Sequence, residues 1–114
     1  MKPEMAVRRM VHGIGYRFRL HSPKLPGKPD IVFPRLGKII EVRGCFWHQH
    51  KGCADAHIPK TRTAYWVPKL KRNQERDGDN LKELRRLGWR VLIVWECEVS
   101  KKRLHAKIER FLGQ

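Results

Sequence analysis

The chain has 114 residues, 26 of them lysine or arginine against 11 acidic, for a formal net charge of +15 at pH 7. That length makes one domain, residues 1–114, with a real core but small enough to benefit from a metal staple, and the charge favours a polyanion, nucleic acid before an anionic membrane surface. No apolar run approaches a membrane span and no signal-peptide pattern opens the chain, while an odd number of cysteines, three, points to metal binding in a reducing cytoplasm rather than a disulfide framework.

In chain order, residues 3–12 read as a short amphipathic helix. Pro3 suits its first turn, Met10 and Val11 sit near helical spacing from Met5 or Ala6, and Gly13 and Gly15 stop it. Residues 16–21 alternate apolar and polar, which predicts a strand with one wet face. The Leu25-Pro26-Gly27-Lys28-Pro29 turn leads to a second strand at 30–33, and Pro34 to Gly37 turn the chain into a third at 38–43. A cysteine-rich loop then runs to about Lys60. From Thr63 to Leu87 the pattern is helical, and Pro68 and Asp77-Gly78-Asp79 predict a break into two pieces, with Gly88 as the cap. Residues 89–95 are largely apolar, as in a strand buried on both faces, and Ser100 is placed to cap a last helix. The order α, β, β, β, α, β, α predicts an α/β fold with a mixed sheet flanked by helices.

Two constellations carry chemistry. Pro29-Asp30, ten further residues and Glu41-Val42-Arg43 have a nuclease-like form. Cleaving a phosphodiester calls for a carboxylate-held Mg²⁺ that polarises phosphoryl oxygen and activates water. Glu41 and Arg43 share a strand face, and a hairpin brings Asp30 towards them; the bland alternative is a turn with surface charges. The second constellation lies between Gly44 and Cys53. Cys45, His50 and Cys53, with Cys97 at the end of the last strand, suit a tetrahedral structural zinc set that would pin the loop to the sheet; buried reduced cysteines are the bland alternative, and four good ligands argue against a catalytic zinc with an open site.

His48 is then free to act as general base toward water. On spacing alone the two histidines could equally exchange roles, or His48 could face solvent. Phe46, Trp47 and Trp66 could wedge into a base stack or pack as a small core around the metal, and residue type alone favours the core.

Leu25 to Asp30, Gly44 to His48, Thr61-Arg62-Thr63, the run containing Asn73, Glu75, Arg76 and Asp77, and Gly88 to Cys97 together resemble the very-short-patch repair (Vsr) mismatch endonucleases. The resemblance covers nearly the whole chain. It implies a restriction-endonuclease-like α/β fold, structural Zn²⁺ on Cys45, His50, Cys53 and Cys97, and catalytic Mg²⁺ at Asp30 and the backbone carbonyl of Val42. It further implies His48 as the catalytic histidine and Glu4 as an accessory acid near metal-bound water. Phe46, Trp47 and Trp66 would intercalate, with Arg62, Asn73 and Arg76 among the DNA contacts.

The implied reaction is a nick in duplex DNA beside a T·G mismatch, leaving a 5′-phosphate, by a monomer with mismatch-repair proteins as candidate partners. A zinc-stapled DNA-binding module without cleavage and a less selective nuclease are the alternatives. The chain departs from the family in three places. The family usually has a further basic segment ahead of the helix with which this sequence opens, at Lys2-Pro3-Glu4; Glu41 stands where an apolar residue is usual, and either offers a second carboxylate for Mg²⁺ or sits on the wrong face; and Arg43 stands where histidine is common.

Overall fold

In a computed structural model, residues 3–113 are described; Met1, Lys2 and Gln114 lie outside them. Seven regular elements follow the expected order: α1 (Pro3–Ile14), β1 (Arg19–Leu20), β2 (Ile31–Phe33), β3 (Lys38–Arg43), α2 (Thr63–Arg86), β4 (Arg90–Trp95) and α3 (Arg103–Leu112). The sheet runs β1-β2-β3-β4, antiparallel up to β3 and parallel between β3 and β4. The parallel step needs a long crossover, which the cysteine loop and α2 supply.

Strand alternation sorts the side chains into two layers. On one face Val7 and Val11 of α1, Ile31 and Phe33 of β2, Ile40 of β3, Val94 of β4 and Leu104, Ile108 and Leu112 of α3 form the main core. On the other face Val32, Ile39 and Leu84 pack under α2, joined by Leu25, Trp89 and Val91. Within β3, then, Ile40 and Val42 face α1 and α3, whereas Glu41 and Arg43 face the α2 side. Lys38 is buried on the α3 side, and its ammonium donates to the carbonyls of Phe111 (2.7 Å) and Leu112 (3.2 Å), satisfying the end of α3.

Several expectations are corrected. The first strand keeps only Arg19 and Leu20 in the ladder; Tyr16 and Phe18 pack edge-to-face on Phe33, with centroids 6.4 and 6.3 Å away. Residues 63–86 form one helix, not two. Pro68 is only its sixth residue, so a single backbone bond is forgone near an end already short of partners, and an isolated Gly78 is tolerated at about 1 kcal/mol.

The helix closes as expected at Gly88 (φ +96°), whose N–H reaches the Arg85 carbonyl while that of Trp89 reaches Leu84. β4 is an edge strand with only Val94 fully buried, so it is not covered on both faces. Cys97 lies just beyond it, in a single 3₁₀ turn at Glu96–Glu98. Ser100 does not cap the last helix, which starts at Arg103 with no side-chain cap.

Candidate active site and metal centre

Asp30 leads into β2 where β3 extends beyond it, and the Val42 N–H donates to its Oδ2 at 2.7 Å. Glu4, in the first turn of α1, pairs with Arg8 and with His21, whose Nε2 lies 3.0 Å from Glu4 Oε1 and 3.9 Å from Asp30 Oδ1. Ligand atoms of Glu4, His21 and Asp30 all fall within 4.8 Å of one another, so this trio could also hold a cation.

Burial pushes the Asp30 carboxyl up to about 6; the Val42 N–H opposes that rise, and Glu4 and then Glu41 add to it. Burial also raises Glu4, but the bonds and charges of His21 and Arg8 outweigh it and hold Glu4 below the usual value. Glu41 shares a small pocket of about 130 Å³ with Asp30, Val42, Arg43, His48 and Asp77. Its carboxylate is engaged there by Arg43, with Nη2 to Oε2 at 3.0 Å. Glu41 is thus at the pocket, though not as a free second carboxylate.

His48 meets a partner to which the sequence assigns no role at the site: its Nδ1 lies 2.5 Å from Asp77 Oδ2. An ionised carboxylate only accepts, so Nδ1 carries the proton and Nε2 offers its lone pair. Asn73, one turn earlier on α2, donates to the Trp47 carbonyl at 3.3 Å. Asn73 and Asp77 therefore grip consecutive loop residues from one helix face. That i, i+4 polar pair is the signal by which Asp77 could have been found.

Cys45, His50, Cys53 and Cys97 bring four ligand atoms within 4.8 Å of one another. His50 Nδ1 is 3.7 Å from Cys45 Sγ and 3.5 Å from Cys97 Sγ. These are edge lengths of a tetrahedron with metal–sulfur bonds of about 2.3 Å and metal–nitrogen bonds of about 2.0 Å. Burial first, with the neighbouring thiols of Cys97 and Cys53 adding to it, pushes the Cys45 thiol up to about 12. A bound cation would reverse that preference.

Phe46, Trp47 and Trp66 gather beside these groups with centroids 5.1–5.8 Å apart, and Trp47 is 48% exposed. Tyr65 extends the cluster, 4.9 Å from Trp66, and Lys69 donates to its hydroxyl at 3.0 Å while lying 5.7 Å from the Trp47 ring centre. Neither Tyr65 nor Lys69 stood out in the sequence. Arg62 (φ +56°) stacks on Tyr65 at 5.0 Å, and Arg76 Nη2 donates to the Asn73 side-chain Oδ1 at 2.9 Å.

Residues 1–55 match the family model described as "DNA mismatch endonuclease Vsr". The chain is 52% identical over 99 residues to the type II nicking enzyme V.XorIIP of Xanthomonas oryzae pv. oryzae, covering 87% of this chain and 72% of that one. Identity is 42% over 101 residues to the type II nicking enzyme V.NmeAIP of Neisseria meningitidis, covering 89% and 71%. To the DNA mismatch endonuclease Vsr of Escherichia coli it is 46% over 88 residues, covering 77% of this chain and 56% of that protein. With relatives this similar over this much of their length, the chain belongs to the Vsr family of DNA endonucleases.

Proposed function

We propose that this enzyme nicks one strand of duplex DNA beside a T·G mismatch and leaves a 5′-phosphate. The observation that carries the reading is a pocket in which a partly buried carboxylate, Asp30, and a carboxylate-oriented imidazole, His48, stand beside a partly exposed aromatic cluster. In a basic chain such a cluster suits wedging into a base step, which the mismatch makes cheaper to unstack.

Asp30 and the Val42 carbonyl are the proposed Mg²⁺ ligands. A strand residue directs its N–H and C=O to the same edge, so this carbonyl faces the side on which the Val42 N–H meets Asp30. A divalent cation bound there would supply Lewis acidity toward the phosphate and lower the pKa of water. His48 takes the water proton on Nε2, while Asp77 fixes the tautomer and balances the imidazolium. Glu4, next to Asp30, orients water in that space. Phe46, Trp47 and Trp66 enter the stack, and Arg62, Asn73 and Arg76 contact the DNA around it. Cys45, His50, Cys53 and Cys97 hold a structural Zn²⁺ in a restriction-endonuclease-like fold, fixing the loop that carries both base and wedge.

End-labelled duplexes with a single T·G pair or a matched T·A pair test this, with Mg²⁺ or chelator, using wild type and Asp30→Ala. The expected result is one nick beside the mismatch, ligatable at its 5′ end, lost with chelator or Asp30→Ala. Equal cutting of both duplexes would make the enzyme a less selective nuclease. Tight binding without a nick would make this chain a zinc-stapled DNA-binding module.

A further inference from the structure

Trp95 has no part in the scheme above, yet it stands between the two candidate centres. It ends β4 directly beside Arg43 in the parallel register of β3 and β4, and both side chains point to the α2 side of the sheet. Its indole lies parallel to the His50 imidazole, with centroids 4.1 Å apart and 9° between the planes. The Arg43 guanidinium carbon lies 5.9 Å from the indole centroid. Arg43 in turn engages Glu41 at 3.0 Å, and both line the pocket with Asp30. An unbroken line of contacts therefore runs from a cysteine–histidine ligand to the pocket: His50, Trp95, Arg43, Glu41.

From these contacts we infer that Trp95 is a positioning residue: it takes its orientation from His50 and holds Arg43 on Glu41, so that occupancy of the cysteine–histidine centre governs the cation of the cleavage pocket. The inference rests on the nuclease reading above. His50 directs Nδ1 at two sulfurs, so ligation fixes the plane of its ring. A parallel stack passes that plane to the indole, and an aromatic face is a preferred seat for a planar guanidinium. The seat matters because arginine is long and Asp30 shares its pocket. Released from the indole, Arg43 could swing to Asp30 and occupy the carboxylate that must hold a divalent cation. Kept on Glu41, it leaves Asp30 free and presents positive charge where a phosphate would enter.

The test uses the full chain purified with zinc, as wild type, Trp95→Phe (ring kept) and Trp95→Met (bulk kept, ring lost). Zinc content and cooperative unfolding establish that each variant is folded. Steady-state nicking with Mg²⁺ gives kcat and KM, and the NMR signal of the Arg43 side-chain Nε–H, assigned by its absence in Arg43→Lys, reports the seat directly. The methionine variant should keep its zinc and hold KM within about twofold, but lose about tenfold in kcat, with its Arg43 signal shifted or broadened. The phenylalanine variant should recover most of both. Wild-type kcat and an unmoved Arg43 signal in the methionine variant would overturn the proposal, as would a phenylalanine variant no better than methionine. If the methionine variant fails to fold, the phenylalanine variant against Trp95→Leu makes the same comparison. A wild-type enzyme that cuts no duplex would defeat the nuclease reading alone, and the Arg43 signal would still decide whether Trp95 seats the arginine.

Discussion

Asp30 shows how a single side chain trades stability for chemistry. Its carboxyl is raised to about 6 from 3.8 because partial burial strips it of water and it faces Glu4 and Glu41. Below pH 3.8 both folded and unfolded chains keep the proton. Between 3.8 and about 6 only the unfolded chain releases it, so the penalty on folding grows through this window and is complete above it. The gap corresponds to at most about 3 kcal/mol. Asp30→Asn, which keeps an acceptor for the Val42 N–H, should therefore stabilise the protein at pH 7 without added Mg²⁺ and have no such effect at pH 3.5; urea denaturation at the two pH values measures this. At His48 the dependence is on charge rather than burial. Asp77→Asn leaves an acceptor for Nδ1–H but removes the negative charge that balances the imidazolium. Nicking should fall by at least about tenfold with the melting temperature within about 2 °C of wild type, and unchanged nicking would remove Asp77 from the mechanism.

At the scale of elements, α2 organises the site through one polar stripe. Asn73 holds Trp47, Asp77 holds His48, and Asn80 lies against the turn before Asp30. That turn includes Gly27 at φ +75°, where an added Cβ would sit 2.8 Å from Asn80 Nδ2. Gly27→Ala should thus destabilise by about 1–3 kcal/mol through clash and backbone strain together. Adding Asn80→Ala should return the clash share and leave the strain, so a double-mutant cycle by urea denaturation should find the double variant less destabilised than the sum of the two single changes. If the two changes are simply additive, the turn does not lean on Asn80.

In the sequence Asn73 and Asp77 carry part of the family resemblance and Asn73 is read as a DNA contact, but the grip of this stripe on the loop is not visible there, because polar residues at helical spacing look alike whether they meet water, DNA or a loop. The two pieces expected over 63–87, from Pro68 and Asp77-Gly78-Asp79, have a similar origin: local propensity counts the cost of proline and glycine but not the burial of Leu70 and Leu84 in one continuous helix.

For the molecule as a whole, the cysteine–histidine centre brings the loop that follows β3 and carries His48 against the turn after β4, so a cation held there would tie that loop to the end of β4. Cys97→Ala should remove bound zinc and lower stability by several kcal/mol. Metal analysis with thermal unfolding checks both, and a chain that binds no zinc even as wild type would leave the centre as buried thiols.

The element order, the mixed sheet and the cysteine–histidine set were legible in the sequence itself, because periodicity, turn chemistry and the distinctive spacing of thiols and imidazoles are carried by neighbours in the chain or by rare residue types, whereas the roles expected of Glu4, Val42 and His48 rest on the family resemblance. Only the tertiary structure decided that Asp77 orients His48 across 29 residues, that Arg43 engages Glu41 at the pocket, and that Trp95 stacks on His50. Carboxylates, arginines and tryptophans are common and accept many partners. Which partner each takes is set by strand register and by the face on which a helix docks, and neither quantity is written in any local stretch of residues.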